Sequence, residues 1–387
     1  MNGNRAKTAG LVILPLILLA VVSLVVGRSG ILEFFRHGIP PVEELSFDRV
    51  TLQPGLIVAE VVNGGPDPVT VAQVTVDDGF WAFTVEPSAI IPRLGRATVN
   101  IPYPWVEDEP YDVTLLSSTG LTFSHEIAVA RETPAPGPRF FAVFALIGLY
   151  VGVIPVAIGL LWYPALRRVD RRWIDFALAI TIGLLVFLGV DAFIESLESA
   201  SQVAGAFQGT ALVLIGVLGA VLLLQTISRS RLERGGSDGR FAVAFLIAVG
   251  IGLHNLGEGL AIGAAYALGE VALGTFLIVG FMLHNTTEGL GIVAPIAQDR
   301  PKLRTLVTLG LLAGAPTILG AWIGGLAYSP MFATLFLAIG AGAIAQVVMA
   351  LYGVLSKSNQ GMVWTPRTAI GVFAGLLVMY GTGLLTA

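Results

Sequence analysis

The sequence predicts an all-α membrane protein, with eight core helices and one N-terminal helix, that carries an all-β domain outside the membrane. Three observations predict this fold class. Charged residues make up only 12% of the 387 residues, against about 25% in soluble domains, and the mean hydropathy is +0.81. Eight apolar segments of membrane-spanning length follow residue 140. A polar, proline-rich stretch with β-strand alternation precedes them.

Residues 1–29 form the first predicted domain, an N-terminal signal-anchor helix. Arg5 and Lys7 precede an apolar run from Leu11 to Val26. Basic residues before such a run predict that the helix begins in the cytoplasm. The run is short for a membrane span, so a cleaved signal peptide is the alternative interpretation. No A-x-A cleavage pattern follows the run, which favours the anchor.

Residues 30–137 form the second predicted domain, an extracytoplasmic β-sandwich followed by a linker. Residues 56–62 and 69–76 alternate apolar and polar side chains, and the turn signal Asn63-Gly64-Gly65-Pro66 separates them. Seven or so short strands in about 100 residues predict an immunoglobulin-like sandwich. The proline-rich residues 132–138 are typical of a linker. The later candidate strands are 80–85, 96–101, 111–117 and 120–129.

Residues 138–387 form the third predicted domain, which crosses the membrane eight times. Each apolar segment is long enough to cross about 30 Å of hydrocarbon. The predicted spans are 140–163, 173–197, 207–227, 241–265, 271–296, 303–327, 331–354 and 366–386.

Basic residues cluster in alternate connections between the spans, and this asymmetry predicts the orientation. Lys and Arg follow the first, third, fifth and seventh spans, whereas the connections near 198–206, 266–270 and 328–330 contain none. The positive-inside rule therefore places the basic connections in the cytoplasm. We expect a multi-pass plasma-membrane protein with its β domain and C-terminus outside.

Composition also excludes several kinds of chemistry. The chain has no Cys, which excludes disulfides, thiolate metal ligands and a thiol nucleophile. A net charge of −4, without a basic tail, gives no indication of nucleic-acid binding. Only four His residues exist, and His37 and His125 are isolated in the β domain, where we expect surface or packing roles.

The other two His residues begin two copies of one pattern, H-N-x-x-E-G. One copy lies in the fourth predicted span and the other in the fifth, and each His is the fourteenth residue of its span. At about 100° per residue, the His, Asn and Glu of each copy share one helix face. Consecutive spans run antiparallel, so both copies lie at a similar depth. The polar side chains of the two copies are His254, Asn255, Glu258, His284, Asn285 and Glu288.

Facing each other, the two copies would offer imidazole, carboxylate and amide donors near mid-membrane. Such nitrogen and oxygen ligands suit Zn²⁺, Fe²⁺, Mn²⁺ or Cd²⁺. Two glutamates at the bilayer centre would cost about 5–7 kcal/mol, and no buried basic residue compensates them. A bound divalent cation, a proton or a water-filled path must do so. Hydrogen bonding between helices is the alternative, but the repetition at matched depth favours a metal site.

These motifs, His254-Asn255-Leu256-Gly257-Glu258-Gly259 and His284-Asn285-Thr286-Thr287-Glu288-Gly289, resemble the paired metal-binding motifs of ZIP (Zrt-, Irt-like protein) transporters. Eight core spans with an outside C-terminus also match that family, so the resemblance covers about 140–387. It implies uptake of a divalent metal into the cytoplasm by an elevator-like movement of one helix bundle against another. We expect Zn²⁺ first, with Fe²⁺, Mn²⁺ and Cd²⁺ as alternatives. The cation is then cargo rather than a cofactor, the protein is not an enzyme, and the six motif residues line the transport site.

The sequence departs from the family pattern in both motifs and in one loop. The family motif commonly reads H-N-x-P-E-G, but Gly257 and Thr287 replace its prolines. A proline frees a backbone carbonyl and kinks a helix, whereas glycine permits a kink and threonine offers a hydroxyl. The loop from Ser228 to Arg240 lacks the histidines that the family often carries there.

The number of bound ions follows from a further departure. Some relatives that hold two ions have a Glu before a Pro in the sixth span, and the matching dipeptide here is Ala315-Pro316. Two divalent ions would bring four positive charges against the two carboxylates of Glu258 and Glu288, and lone buried charges cost several kcal/mol. We therefore predict one high-affinity ion, with the two motif asparagines as weak or transient ligands.

Two acidic residues near the outer end of the second span suggest an entrance. Asp191 and Glu195 are four residues apart and share one helix face. They resemble acidic residues that ZIP proteins carry near the outer mouth, which would collect metal. A solvated helix end is the alternative, and the sequence leaves both open.

Two other classes of function remain as alternatives. One is an intramembrane metal-dependent hydrolase, although the H-E-x-x-H pattern of zinc proteases is absent. The other is a metal sensor or adhesin whose active part is the β domain. Divalent metal ions and the lipid bilayer are the expected partners. The sequence indicates no partner for the β domain and leaves a homodimer open.

Overall fold

The computed structural model describes residues 13–15, 17–25, 41–232, 236–267, 271–358 and 364–384. The chain divides into two compact units, 1–42 and 43–387. In the first unit, residues 13–15 and 17–25 are helical, inside the predicted anchor. Arg5, Lys7 and His37 lie outside the described residues. The second unit contains the β domain and the membrane helices.

In its described part, residues 41–131, the β domain has nine strands in two sheets. One sheet has the order β1-β2-β7-β5, and the other has β4-β3-β8-β9 with β6 against β3. Side chains from both sheets form one hydrophobic core, in which Ile57, Val99 and Leu115 are fully buried. The strands are β1 Leu45–Gln53, β2 Leu56–Asn63, β3 Val69–Val76, β4 Gly79–Phe80, β5 Thr84–Glu86, β6 Ile90–Ile91, β7 Arg96–Ile101, β8 Tyr111–Ser117 and β9 Thr122–Ile127.

Three features of this domain differ from the sequence prediction. The two-residue strand β6, Ile90–Ile91, was not predicted. The predicted strand 80–85 is two short strands, because β4 pairs with β3 whereas β5 pairs with β7 in the other sheet. Strand β1 was not predicted. Its register against β2 shifts between Phe47 and Arg49, and such a bulge interrupts the apolar-polar alternation that reveals a strand.

Among the described residues, eight helical segments are long and apolar enough to cross a membrane, in agreement with the eight predicted spans. The chain is therefore a multi-pass membrane protein with an α-helical core and a β domain. Spans 1 to 8 are Pro138–Leu166, Arg171–Ser201, Gly205–Ile227, Gly239–Tyr266, Leu277–Ile296, Leu303–Ala327, Pro330–Lys357 and Pro366–Leu384.

Spans 1 and 6 are interrupted, whereas the other spans are built on single long helices. Span 1 contains helices Pro138–Gly148, Ile154–Leu160 and Tyr163–Leu166 and the π-helical turn Leu149–Val153. Span 6 contains helices Leu303–Gly314 and Pro316–Ala327. The long helices are Arg171–Ser201, Gly209–Leu232, Gly236–Ala267, Val271–Val293, Pro330–Ser358 and Pro366–Leu384, with short 3₁₀ turns at Gly205–Phe207 and Ala294–Ile296.

The spans pack as two bundles. Span 4 packs along span 6 and span 1 along span 5, which defines bundle A as spans 1, 4, 5 and 6. Span 7 packs along spans 2 and 3, and span 8 along span 2, which defines bundle B as spans 2, 3, 7 and 8. Spans 4 and 7 lie side by side where the bundles meet.

Glycines bring main chains into contact inside each bundle. A Cβ added at Gly320 would lie 2.1 Å from the Leu256 carbonyl oxygen in bundle A, and one at Gly183 would lie 2.1 Å from Val372 O in bundle B. Where the bundles meet, a Cβ at Gly340 would lie 3.2 Å from the nearest main-chain atom, Cα of His254. Small residues allow such close helix packing. Main chains approach each other more closely within these bundles than at this boundary, where the closer approach of Gly250, at 2.4 Å, is to the side chain of Val347.

The β domain contacts one end of the helices, which we call the β end. Its contacts include the connection between spans 2 and 3 and residues 325–331 around the connection between spans 6 and 7. At the opposite end, Arg240 of span 4 donates to both carboxylate oxygens of Asp299, at 2.8 and 2.5 Å. Tyr163 of span 1 donates to the carbonyl of the same Asp299 at 2.5 Å. These bonds join spans 1 and 4 to the connection between spans 5 and 6, all within bundle A.

Candidate metal centre between spans 4 and 5

Two histidines from different spans converge on one carboxylate oxygen. His254 Nε2 lies 3.1 Å from Glu258 Oε1, one turn along span 4. His284 Nε2, from span 5, lies 2.5 Å from the same oxygen. All three residues are buried. The four-residue spacing places His254 and Glu258 on one face of span 4, and the packing of span 5 against span 4 brings His284 to that face.

These three residues can supply a set of metal ligands. One ligand atom from each of His254, Glu258 and His284 lies within 4.8 Å of the others. Two imidazole nitrogens and a carboxylate oxygen are ligands that Zn²⁺ and similar first-row cations accept. Three protein ligands leave a fourth position for water or a weaker ligand, as in open zinc sites.

Glu288 lies outside this three-ligand group and is held by the other motif. Asn255 Nδ2 donates to Glu288 Oε2 at 3.3 Å and to the main-chain carbonyl of Ala313 at 3.1 Å. Glu288 Oε1 and Asn255 Oδ1 are buried and have no hydrogen-bond partner among the described residues. The second carboxylate is therefore close to the centre but not among its three converging ligands.

Asn285 of span 5 holds Glu258 in the same way as Asn255 holds Glu288. Its Nδ2 donates to Glu258 Oε2 and to the main-chain carbonyl of Val151, both at 3.0 Å. Both neighbours are acceptors, so the amide nitrogen must face them. Each asparagine therefore binds the glutamate of the other motif and leaves its own Oδ1 without a partner among the described residues.

The carbonyls that hold the asparagines come from the two interrupted spans. Pro155 has no N–H to donate to the Val151 carbonyl four residues earlier, and the π-helical turn lies just before it. In span 6, Ala313 lies at the end of the helix that stops before Pro316. We did not predict from the sequence that these two main-chain carbonyls take part in the site. The prolines in the middle of spans 1 and 6 were the features that could have indicated them. The family motif has a proline at the positions of Gly257 and Thr287. In this protein, the long helices of spans 4 and 5 continue through both residues.

The acidic pair of span 2 lines the same cavity as the metal centre. Asp191 and Glu195 line a cavity of about 110 Å³ together with His254, Glu258 and His284. Thr382 and Gly383, near the end of span 8, line it as well. The cavity therefore extends from the centre toward the β end. The entrance interpretation of this pair stays a prediction, and the shared cavity is consistent with it.

His125 of the β domain is remote from this centre. It lies in β9, where its ring packs against Phe47 with ring centroids 5.2 Å apart. Burial lowers the pKa of its imidazole, partly opposed by Asp112. Among the described residues, the three-ligand group between spans 4 and 5 is the one cluster of His and acidic groups with metal-binding spacing.

No protein-family model matches the chain, and no curated protein matches it. Its function is therefore inferred from its residues and their geometry.

Proposed function

We propose that the protein transports divalent metal cations, Zn²⁺ first, through the centre between spans 4 and 5. One observation carries this proposal: His254, Glu258 and His284 converge in the interior of the helices, beside a cavity that extends toward the β end. A buried centre built of ionisable ligands inside membrane spans is typical of an ion pathway. Fe²⁺, Mn²⁺ and Cd²⁺ are the alternative cargoes.

We propose ZIP family membership on the same evidence. The paired motifs, the eight spans and the division into two bundles support it. For the β domain we propose an immunoglobulin-like sandwich, supported by two sheets that share one core. The proposed orientation has the β domain outside the plasma membrane and transport directed into the cytoplasm.

Each group in the cavity then has a distinct part in transport. Asp191 and Glu195 attract the cation at the entrance, because acidic groups in a cleft raise the local cation concentration. His254, Glu258 and His284 bind it. The two asparagines orient the carboxylates, and Glu288 supplies the second negative charge. One ion balances two carboxylates, so the proposal includes one tightly bound ion per chain.

Movement of bundle A against bundle B would carry the ion across. The three ligands all lie on spans 4 and 5, inside bundle A, where glycines hold the main chains close. The ion would therefore move with its ligands intact. At the boundary, the main-chain contact of Gly340 is longer, at 3.2 Å, and the closer approach of Gly250, at 2.4 Å, is to the side chain of Val347, which can change rotamer as the bundles slide.

Zinc uptake by purified protein in liposomes tests this proposal. We expect Glu258→Gln and His284→Ala each to reduce initial uptake at least about tenfold, since losing or neutralising one ligand weakens the other two. His125→Ala, which removes a histidine remote from the centre, is the matched control and should transport like wild type. Uptake should also fall as the outside pH is lowered, because the ligands must be deprotonated to bind metal. Peptide cleavage without zinc accumulation would support the hydrolase instead.

A further inference from the structure

One arginine of the β domain binds the end of a helix in bundle A. The Arg49 guanidinium donates to the carbonyl of Leu326 and, at 3.3 Å, to that of Gly325. Both carbonyls belong to the last turn of Pro316–Ala327 in span 6. Carbonyls in a last turn lack partners inside the helix and carry partial negative charge. A cation at this position therefore stabilises the contact between the β domain and bundle A.

A neighbouring residue of the β domain binds bundle B. The Glu44 carboxylate accepts the main-chain N–H of Gly205, at 2.6 Å, in the connection between spans 2 and 3. The same connection packs closely on the β2–β3 turn, where a Cβ added at Gly64 would lie 2.9 Å from Cβ of Ala204. Val203 and Phe207 line a crevice with β-domain residues at this contact. Bundle B is therefore held at several points.

Glu44 and Arg49 lie five residues apart, one just before and one within β1. The β sandwich fixes their separation, because β1 pairs along its length with β2. Asp48, between them, accepts the Ser329 hydroxyl at 2.7 Å, in the connection that joins the two bundles. A rigid domain that holds both bundles resists any movement of one against the other.

We propose that the β domain is a clamp that stabilises the bundle arrangement in which the metal cavity opens toward the β end. This inference rests on the proposed transport by bundle movement. The Arg49 contact is the part that opens in each cycle, and the bundle B contact stays closed. Arg49 Nε is buried without a partner among the described residues, and such a group weakens a contact. The bundle B contact combines a charge-assisted hydrogen bond with close packing.

Cross-linking of the full chain tests the clamp, and the absence of native Cys leaves no background thiols. The variant Arg49→Cys/Leu326→Cys, joined by a short bifunctional maleimide, fixes the β domain to bundle A. We expect zinc uptake in liposomes to fall at least about tenfold on cross-linking, while zinc binding in detergent is unchanged. The matched control is Glu44→Cys/Gly205→Cys, which the same reagent joins at the bundle B contact and which should leave uptake unchanged. Uptake that survives complete cross-linking of the first pair would overturn the clamp.

A second measurement does not depend on metal transport. Leu337 of span 7 lines the metal cavity, so labelling of Leu337→Cys by a water-soluble maleimide reports how often the cavity is open. Losing a favourable contact of about 1 kcal/mol shifts a two-state equilibrium about fivefold. We expect Arg49→Gln to slow labelling by up to about fivefold, since the open fraction falls by at most the change in the equilibrium constant. Arg131→Gln, which removes the 2.6 Å ion pair with Asp108 inside the β domain, should leave the rate unchanged. An unchanged rate in folded Arg49→Gln would refute the clamp, whereas absent wild-type uptake with slowed labelling would refute only the transport proposal.

Discussion

Each motif asparagine holds the glutamate of the other motif. Asn285 of span 5 binds Glu258 of span 4, and Asn255 of span 4 binds Glu288 of span 5. The two bonds cross between the helices and connect the motifs. Because only Glu258 contacts both histidines, the two asparagines are predicted to differ in importance for metal binding.

Asn285→Ala should weaken zinc binding more than Asn255→Ala. Removing a residue that hydrogen-bonds to a metal ligand and orients it typically lowers metal affinity about 10- to 100-fold. Asn285 orients the carboxylate of Glu258, which belongs to the three-ligand group. We expect a loss in that range for Asn285→Ala and a smaller loss for Asn255→Ala, whose partner Glu288 lies outside the group. Calorimetric titration of the purified proteins with zinc measures both. A larger loss for Asn255→Ala would place Glu288 among the ion's principal ligands.

The repeated motif indicates the candidate metal ligands in the sequence, but not the main-chain groups that hold the motif side chains in place. A pattern that occurs twice at matched helical positions predicts that His254 and His284 face a common space. The partners of the asparagines are main-chain carbonyls, Val151 O and Ala313 O. Every residue has a carbonyl, so no residue type marks the ones that are free. Only the mid-span prolines, Pro155 and Pro316, indicate them indirectly.

At the scale of elements, glycines determine how closely spans 4 and 6 pack. A Cβ at Gly320 would meet Leu256 O at 2.1 Å and Leu260 N at 2.8 Å. Gly219 of span 3 offers a comparison, because a Cβ there would meet no atom within 4 Å. Both glycines lie inside membrane helices, so Gly→Ala changes helix propensity similarly at each position. A difference in stability between the two variants therefore reports helix packing.

Gly320→Ala should destabilise the protein, and Gly219→Ala should not. Adding a methyl group to a well-packed site typically lowers stability by about 1–3 kcal/mol. The atoms in its way here belong to the main chain of span 4, which cannot move aside by rotating a side chain. We expect a clearly lower midpoint of thermal unfolding in detergent for Gly320→Ala and an unchanged or slightly higher one for Gly219→Ala. Equal midpoints would mean that spans 4 and 6 can separate without cost.

Helix existence was easier to predict than sheet detail, for a physical reason. A membrane span requires a long apolar run, and eight such runs agree with the eight spans. A strand needs only a few residues, and its pairing depends on distant segments. Strand β1 was missed because of its bulge, and 80–85 was taken as one strand although its ends pair in different sheets.

At the scale of the whole molecule, the cavity and the β domain share one end of the helices. Asp191 and Glu195 line the cavity toward this end. The basic residues Arg167, Arg168 and Arg300 lie in connections at the opposite end. Under the proposed function, the orientation of the chain decides from which side a cation would enter, and the basic connections predict entry from outside.

Labelling of single cysteines in intact cells tests that orientation. Ser118 of the β domain and Val169, in the connection between spans 1 and 2, are both exposed and lie at opposite ends. Because the chain has no Cys of its own, Ser118→Cys and Val169→Cys each carry one thiol. We expect a membrane-impermeant maleimide to label Ser118→Cys in intact cells and Val169→Cys only after permeabilisation. The reverse pattern would place the β domain in the cytoplasm, and the cavity in this structure would then load from inside and favour export over uptake.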